Sequence, residues 1–226
     1  TEIFYRSTGK NTRITRGSTL APYIDMPKGM GGYIDFTGPR RPTYVYGLRF
    51  ERGRGSEHSP ELGWGTKSRG YLKYMPTDTL SFSLMYQHQR ENEWLNWYGD
   101  NLLATFQRKQ RTSVVEMEWF RNNIHELRIK AQMVAFTGRE PQSFLGDLSG
   151  NLNPKDIYIP PITISELAFQ VRYRYEIMPL SYLYLVYSKG GRISLQDEED
   201  DLFSLYRRHW NSPEKENFTV KLRYRF

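Results

Sequence analysis

The sequence predicts an all-β protein, and more narrowly an antiparallel transmembrane β-barrel of which about ten strands are visible. Three observations predict it. Apolar and polar residues alternate with period two in segment after segment, and no stretch shows a convincing helical period. The connections between these segments are alternately short and long. The apolar phases carry aromatic residues toward the strand ends, where membrane interfaces hold them.

Period two sends successive side chains to opposite faces, so each alternating run defines an apolar and a polar face. The runs fall at about 1–6, 30–37, 43–52, 66–75, 80–90, 110–121, 125–137, 164–177, 182–189 and 216–226. The stretch 101–109 is assigned to a connection, and the first run alternates least. In the third run Tyr44, Tyr46, Leu48 and Phe50 oppose Thr43, Val45, Gly47, Arg49 and Glu51. In the fifth, Leu80, Phe82, Leu84 and Tyr86 oppose Ser81, Ser83, Met85 and Gln87. In the eighth, Phe169, Val171, Tyr173 and Tyr175 oppose Gln170, Arg172, Arg174 and Glu176. The last sets Phe218, Val220, Leu222, Tyr224 and Phe226 against Thr219, Lys221, Arg223 and Arg225.

Turn-forming residues fill the short connections Thr37–Pro42, Pro76–Thr79, Asn122–Ile124 and Met178–Ser181. Between them lie long polar segments at 7–29, 53–65, 91–109, 138–163 and 190–215. Outer-membrane barrels sort their loops in this way, with short turns at one end and long loops at the other. Register is testable at two hairpins. Centred on Asn123, pairing sets Glu116 opposite Lys130 and Glu118 opposite Arg128 on one face. On the other face it sets Val115 against Ala131, Met117 against Ile129 and Trp119 against Leu127, which is what cross-strand pairing favours. Centred on Thr77, it sets Tyr74 opposite Leu80 and Leu72 opposite Phe82.

A charged and an apolar face suit either a soluble sandwich, with the apolar face as core, or a barrel, with that face in lipid. The barrel is favoured. Its lumen would hold Glu116, Lys130, Glu118, Arg128, Arg172, Arg174 and Glu176 as charge pairs, and its interfaces would hold Tyr74, Trp119, Tyr175, Tyr224 and Phe226. A terminal Phe226 in phase with four apolar residues resembles the signal that such proteins present to the barrel assembly machinery.

Composition removes other classes. The 226 residues hold 32 Lys+Arg against 25 Asp+Glu, but these alternate along the chain, and no nucleic-acid-binding motif is present. Aromatics at 15% exclude a disordered chain, and no apolar run approaches the ~18 residues of a spanning helix. The sequence opens at Thr1 without Met or a signal peptide, so a processed form or fragment is expected. There is no Cys, and His58, His88, His125 and His209 lack metal-ligand spacing, so no metal and no cofactor is expected. The acidic run Asp197-Glu198-Glu199-Asp200-Asp201 lacks the alternating ligands and glycine of a Ca²⁺ loop and is taken as solvated. Trp94, Trp97, Tyr98 and Trp210 could stack on sugar rings, although residues of this type near a membrane more commonly serve as interfacial anchors. No nucleophile, base and orienting group can be assembled, so no catalytic residue is assigned and a non-enzymatic protein is expected.

The segment Arg172-Tyr173-Arg174-Tyr175-Glu176-Ile177-Met178-Pro179-Leu180-Ser181-Tyr182-Leu183-Tyr184-Leu185-Val186-Tyr187-Ser188-Lys189-Gly190-Gly191 resembles a family of bacterial outer-membrane proteins. In that family a barrel domain of unknown function follows a module similar to family 9 carbohydrate-binding domains. The stretch His125-Glu126-Leu127-Arg128-Ile129-Lys130-Ala131-Gln132 and the turn Met75-Pro76-Thr77-Asp78-Thr79 are similar to it as well. The resemblance spans about Gly31 to Phe226, and its motifs are hairpin signatures. Family members are much longer, and nothing here resembles the sugar-binding module. The resemblance therefore implies that residues 1–226 are the C-terminal portion of a larger barrel in the bacterial outer membrane, with N-terminal strands or a partner chain completing the wall. The implied role is passage or capture of a solute at the cell surface, with a glycan suggested by the associated module. The alternative is a scaffolding barrel whose long loops bind a partner protein or surface glycan.

Overall fold

The structure, a computed structural model, describes residues 1–54, 62–195 and 202–225. Its strands in chain order are β1 (Glu2–Arg6), β2 (Gly9–Asn11), β3 (Ile24–Met26), β4 (Gly29–Thr37), β5 (Tyr44–Arg54), β6 (Trp64–Thr77), β7 (Leu80–Gly99), β8 (Leu102–Arg121), β9 (His125–Gly146), β10 (Leu152–Pro154), β11 (Ile162–Met178), β12 (Ser181–Leu195) and β13 (Lys215–Arg223). One helix, α1 (Leu202–Asn211), precedes β13. Eleven strands form one antiparallel sheet in the order β1-β4-β5-β6-β7-β8-β9-β11-β12-β13, with β10 paired beside β9, and β2 and β3 pair separately. The main sheet is thus a meander, and it is open. Among the described residues β1 and β13 are each paired along one edge.

Alternation and turn chemistry produce this arrangement. Asn122 and Asn123 both take positive φ (50° and 56°), and the Ile124 amide donates to the Arg121 carbonyl at 3.1 Å. Together they close a β-turn over Arg121–Ile124 with both central residues left-handed, and the ladder resumes at His125. It locks the expected register: Glu116 faces Lys130, Glu118 faces Arg128, and Trp119 faces Leu127. The β6–β7 register differs from expectation. Tyr74 faces Phe82 and Leu72 faces Leu84, because an irregularity between Tyr74 and Thr77 absorbs extra residues. Pro76, which cannot donate to a ladder, lies inside it. The displacement is an even number of residues, so every side chain keeps its face.

Three expectations are corrected. Residues 91–109 are not a loop, because β7 runs on to Gly99 and β8 starts at Leu102. The alternation is lost there because β7 shifts register between Glu91 and Trp94, and β9 does so opposite Thr105–Gln107. The strands likewise continue into 138–146 and 190–195. Finally, α1 forms where no helical period was expected. Leu205 and His209, four apart, are buried while Tyr206, Arg207, Arg208, Trp210 and Asn211 are exposed, a one-sided pattern that the polar segment 190–215 hides in the sequence.

No central core exists among the described residues. On the apolar face of the sheet Phe218, Val220 and Leu222 are 66%, 58% and 61% exposed, whereas Met133, Ala135 and Leu167 on the same face are buried beneath Leu205 of α1. Burial gathers at the end of the long connections, in three small clusters built around Ile24, Leu95 and Leu103, around Ala104, Phe106 and Ile159, and around Met133, Leu167 and Leu205. Replacing Asn123 with Val should therefore act through the turn alone. We expect a loss of about 1–2 kcal/mol from forcing a β-branched residue into left-handed backbone, read by urea unfolding, with Asn123→Gly close to neutral.

Candidate functional site

Following register from strand to strand assigns each side chain to a charged or an apolar face. The charged face carries the pairs expected from sequence. Lys130 meets Glu116 at 2.6 Å, and Arg128 meets Glu118 at 3.7 Å. Between Arg128 and Arg174 lies Glu126, a buried carboxylate not singled out from sequence, with Oε1 at 2.5 Å from one guanidinium and Oε2 at 3.0 Å from the other. Both oxygens are committed to cations, so this is a structural ion pair rather than a proton-transfer group. Arg174 and Arg172 also stack over Tyr182 and Tyr184, at 5.3 and 5.7 Å. Glu176 is half-buried on the same face, across from Tyr182.

Toward the long-connection end this face becomes aromatic. The Arg108 guanidinium meets both oxygens of Glu91, Nη1 to Oε2 at 3.0 Å and to Oε1 at 3.3 Å, and its Nη2 donates to Gln110. Gln89 donates to Glu91 as well, and Glu91 is only 1% exposed. The same guanidinium lies 5.1 Å from the ring centres of both Trp94 and Phe136. Those two rings meet edge-on at 5.2 Å, Trp94 is 6.0 Å from Phe106, and Tyr98 stacks on Phe106 at 6.1 Å. Burial raises the Tyr98 phenol above its usual pKa. Ile159, from the connection after β10, packs against Ala104 and Phe106 and closes one side. Sequence reasoning reached Trp94 and Tyr98 but missed Glu91, Arg108, Phe106 and Phe136. All but Phe136 fell inside the segment taken for a loop.

The four aromatic residues proposed for sugar stacking separate into three places. Only Trp94 and Tyr98 come together. Trp97 lies on the opposite face, packed against the Ile24–Leu95–Leu103 cluster with the Arg16 guanidinium over its ring at 5.1 Å. Trp210 sits on α1, stacked with Tyr206, edge-on to Phe169 at 5.3 Å and under the Lys189 ammonium at 4.8 Å. His209 anchors that helix through Nε2, 2.8 Å from the Ser165 carbonyl.

The apolar face holds Tyr74, Trp119 and Tyr175 at the short-turn end, where His125 stacks on Tyr175 at 5.1 Å and contacts the Tyr173 hydroxyl at 2.7 Å. Tyr224 follows β13 and is exposed. Phe226, the acidic run Asp197–Asp201 and His58 lie outside the described residues. The apolar band is staggered. Starting at Ile34, paired positions run through Phe50, Ser68, His88, Arg111, Ala135 and Ser165 to Ile193. The band on β12 and β13 lies further toward the short turns, at Leu183, Leu185, Tyr187, Phe218, Val220 and Leu222. A belt that slides along the strands as it crosses the sheet is the geometry of strands tilted to the belt's plane.

No known protein family, curated protein or solved structure matches the chain. Two outcomes follow from the geometry of the long-connection end. Glu91→Ala strands Arg108 in a half-buried aromatic setting and should cost about 3–5 kcal/mol, with Glu91→Ala/Arg108→Met recovering part of it in denaturant titrations. In the turn after β9, the Asp147 carboxylate accepts the Asn151 amide at 2.9 Å, the Asn151 and Asn153 side chains, and the Ser149 amide at 2.8 Å. These bonds, led by the Asn151 amide, hold its pKa below 3.8. Its contribution is complete above the unfolded carboxylate's pKa and is lost as pH falls through the lower folded value. Protection of the Ser149 and Asn151 amides from hydrogen exchange should fall in that acid window, and Asp147→Asn should abolish this pH dependence.

Proposed function

We propose that this chain forms part of the wall of a β-barrel in the bacterial outer membrane, with its apolar face in lipid and its charged face lining the lumen. The staggered apolar belt, open across β4–β8 and on β13 and covered by α1 over β9 and β11, carries this reading. Water does not tolerate so large an open apolar surface, whereas hydrocarbon favours it. Tilt is what a barrel requires, and aromatic residues rim the belt at the short-turn end. The edges of β1 and β13 cannot stay open in a bilayer, so further strands, N-terminal to this portion or from a partner chain, complete the ring. Phe226 addresses the chain to the assembly machinery.

The role is non-enzymatic passage or capture of a solute at the cell surface. Trp94, Tyr98 and Phe136, packed around the buried Phe106, set aromatic rings beside the Arg108 guanidinium, a combination that suits a polyhydroxylated ring such as a glycan. A second reading is a silent scaffold, which the packing of Ile159 against this aromatic mouth favours. Stepwise conductance in planar bilayers supports passage, and a silent, folded protein supports the scaffold. The membrane reading itself is tested at Val115, which is 50% exposed on the apolar face. Val115→Arg should cost about 2–4 kcal/mol in a bilayer. An unchanged stability and a water-soluble, folded protein would overturn it.

A further inference from the structure

Along β6 the charged face carries Lys67, Arg69, Tyr71 and Lys73 at every second position, three cations and one phenol in a line. Strands flank β6 on both sides, so every ladder neighbour of this line is known. Lys67 faces Glu51 and Gln89, Arg69 faces Arg49 and Gln87, Tyr71 faces Gly47 and Met85, and Lys73 faces Val45 and Ser83. Among these neighbours only Glu51 is a carboxylate, and its nearest cation is Arg49, at 3.5 Å. Arg49 also meets Asp35 at 3.7 Å, so it is compensated, whereas Arg69 directly across from it is not. Among the described residues no carboxylate lies within ion-pair reach of Lys67, Arg69 or Lys73. Arg69 is exposed, and Lys67 and Lys73 are half-buried.

The line starts beside the aromatic mouth. Gly65, the preceding position on this face of β6, faces Glu91, and Glu91 faces Arg108. Lys67 therefore stands one row below the Glu91–Arg108 pair, and Arg69 and Lys73 carry the series toward the short turns, each two-residue step covering about 6.6 Å. Tyr71 leans aside rather than standing between Arg69 and Lys73. Its ring lies over Gly47, where a Cβ would come within 2.4 Å of it. On β7, Gln87 sets an amide beside Arg69 and Ser83 a hydroxyl beside Lys73. Uncompensated cations at regular steps, with neutral hydrogen-bonding groups next to them, match a chain that bears acid groups at intervals and hydroxyls between them.

We propose that this line is a binding track for an acidic glycan, whose carboxylates meet Lys67, Arg69 and Lys73 in turn. Cations lining a pore select anionic solutes, and guanidinium and ammonium groups hold carboxylates through charge-assisted hydrogen bonds. The inference rests on the outer-membrane reading given above and deepens it by naming the charge of the solute. It is tested on the protein recovered folded from outer membranes in mild detergent, by calorimetric titration with a short oligogalacturonate and with a neutral malto-oligosaccharide of equal length. The oligogalacturonate should bind more tightly by about tenfold or more, and its affinity should fall as KCl is raised, because contacts this open to water are screened. Lys67→Gln/Arg69→Gln/Lys73→Gln should remove the preference, and Lys67→Arg/Lys73→Arg should keep it. Equal affinity for the two chains overturns the proposal. So does an unchanged preference in the Gln variant, its folding checked by heat-modifiable migration on a gel. Displacement by monomeric galacturonate at the concentration of the oligomer also overturns it, since that would mark a single free-anion site. A protein that enters the membrane yet binds neither chain refutes this track alone. A folded, water-soluble protein that never enters it refutes the reading beneath.

Discussion

Backbone hydrogen bonding between neighbouring strands, with its fixed two-residue side-chain period, governs everything else in this structure. Once β8 and β9 pair through the Asn122–Asn123 turn, the faces of Glu116, Lys130, Val115 and Ala131 are decided together. Each further strand inherits the assignment from its neighbour. The outcome is a sheet with two chemically opposed surfaces and no shared core. Side-chain packing enters only at one end, where the long connections and α1 fold back over the strands.

Legibility in the sequence followed this division. Alternation located the strands of the belt, and turn residues fixed the β8–β9 register to the residue, because the two signals are local and agree. They failed where the ladder is irregular. The irregularity at Glu91–Trp94 reverses the phase of β7, so an alternation that continues to the tip read as a polar connection and hid Glu91 and Arg108. The pairing of β6 with β7 was displaced for the same reason, at Pro76. Glu126 was invisible as a site because its importance comes from Arg174, far along the chain and reached only through the β9–β11 pairing. The acidic run and Phe226 gave sequence expectations that the described residues do not reach.

The charged face carries more cations than carboxylates: Arg69 stands directly across from Arg49, and Lys221 and Arg223 face tyrosines. Glu116, Glu118 and Glu126 each face a cation across a ladder, and Tyr184 and Tyr182 lie under the Arg172 and Arg174 guanidinia. On the opposite face, Arg52, Arg90 and Lys109 crowd together just outside the oily belt.

The meander has a consequence for how the molecule comes into being. In the main sheet each strand lies beside the strand that precedes or follows it along that sheet, so pairing requires only short stretches of chain to close. Growth can proceed one strand at a time, each newcomer covering the exposed amide row of the last, so that an incomplete intermediate never presents more than two raw edges. A nascent wall of this kind is extendable at every stage, and the same property makes the finished β13 border a natural place for a seam.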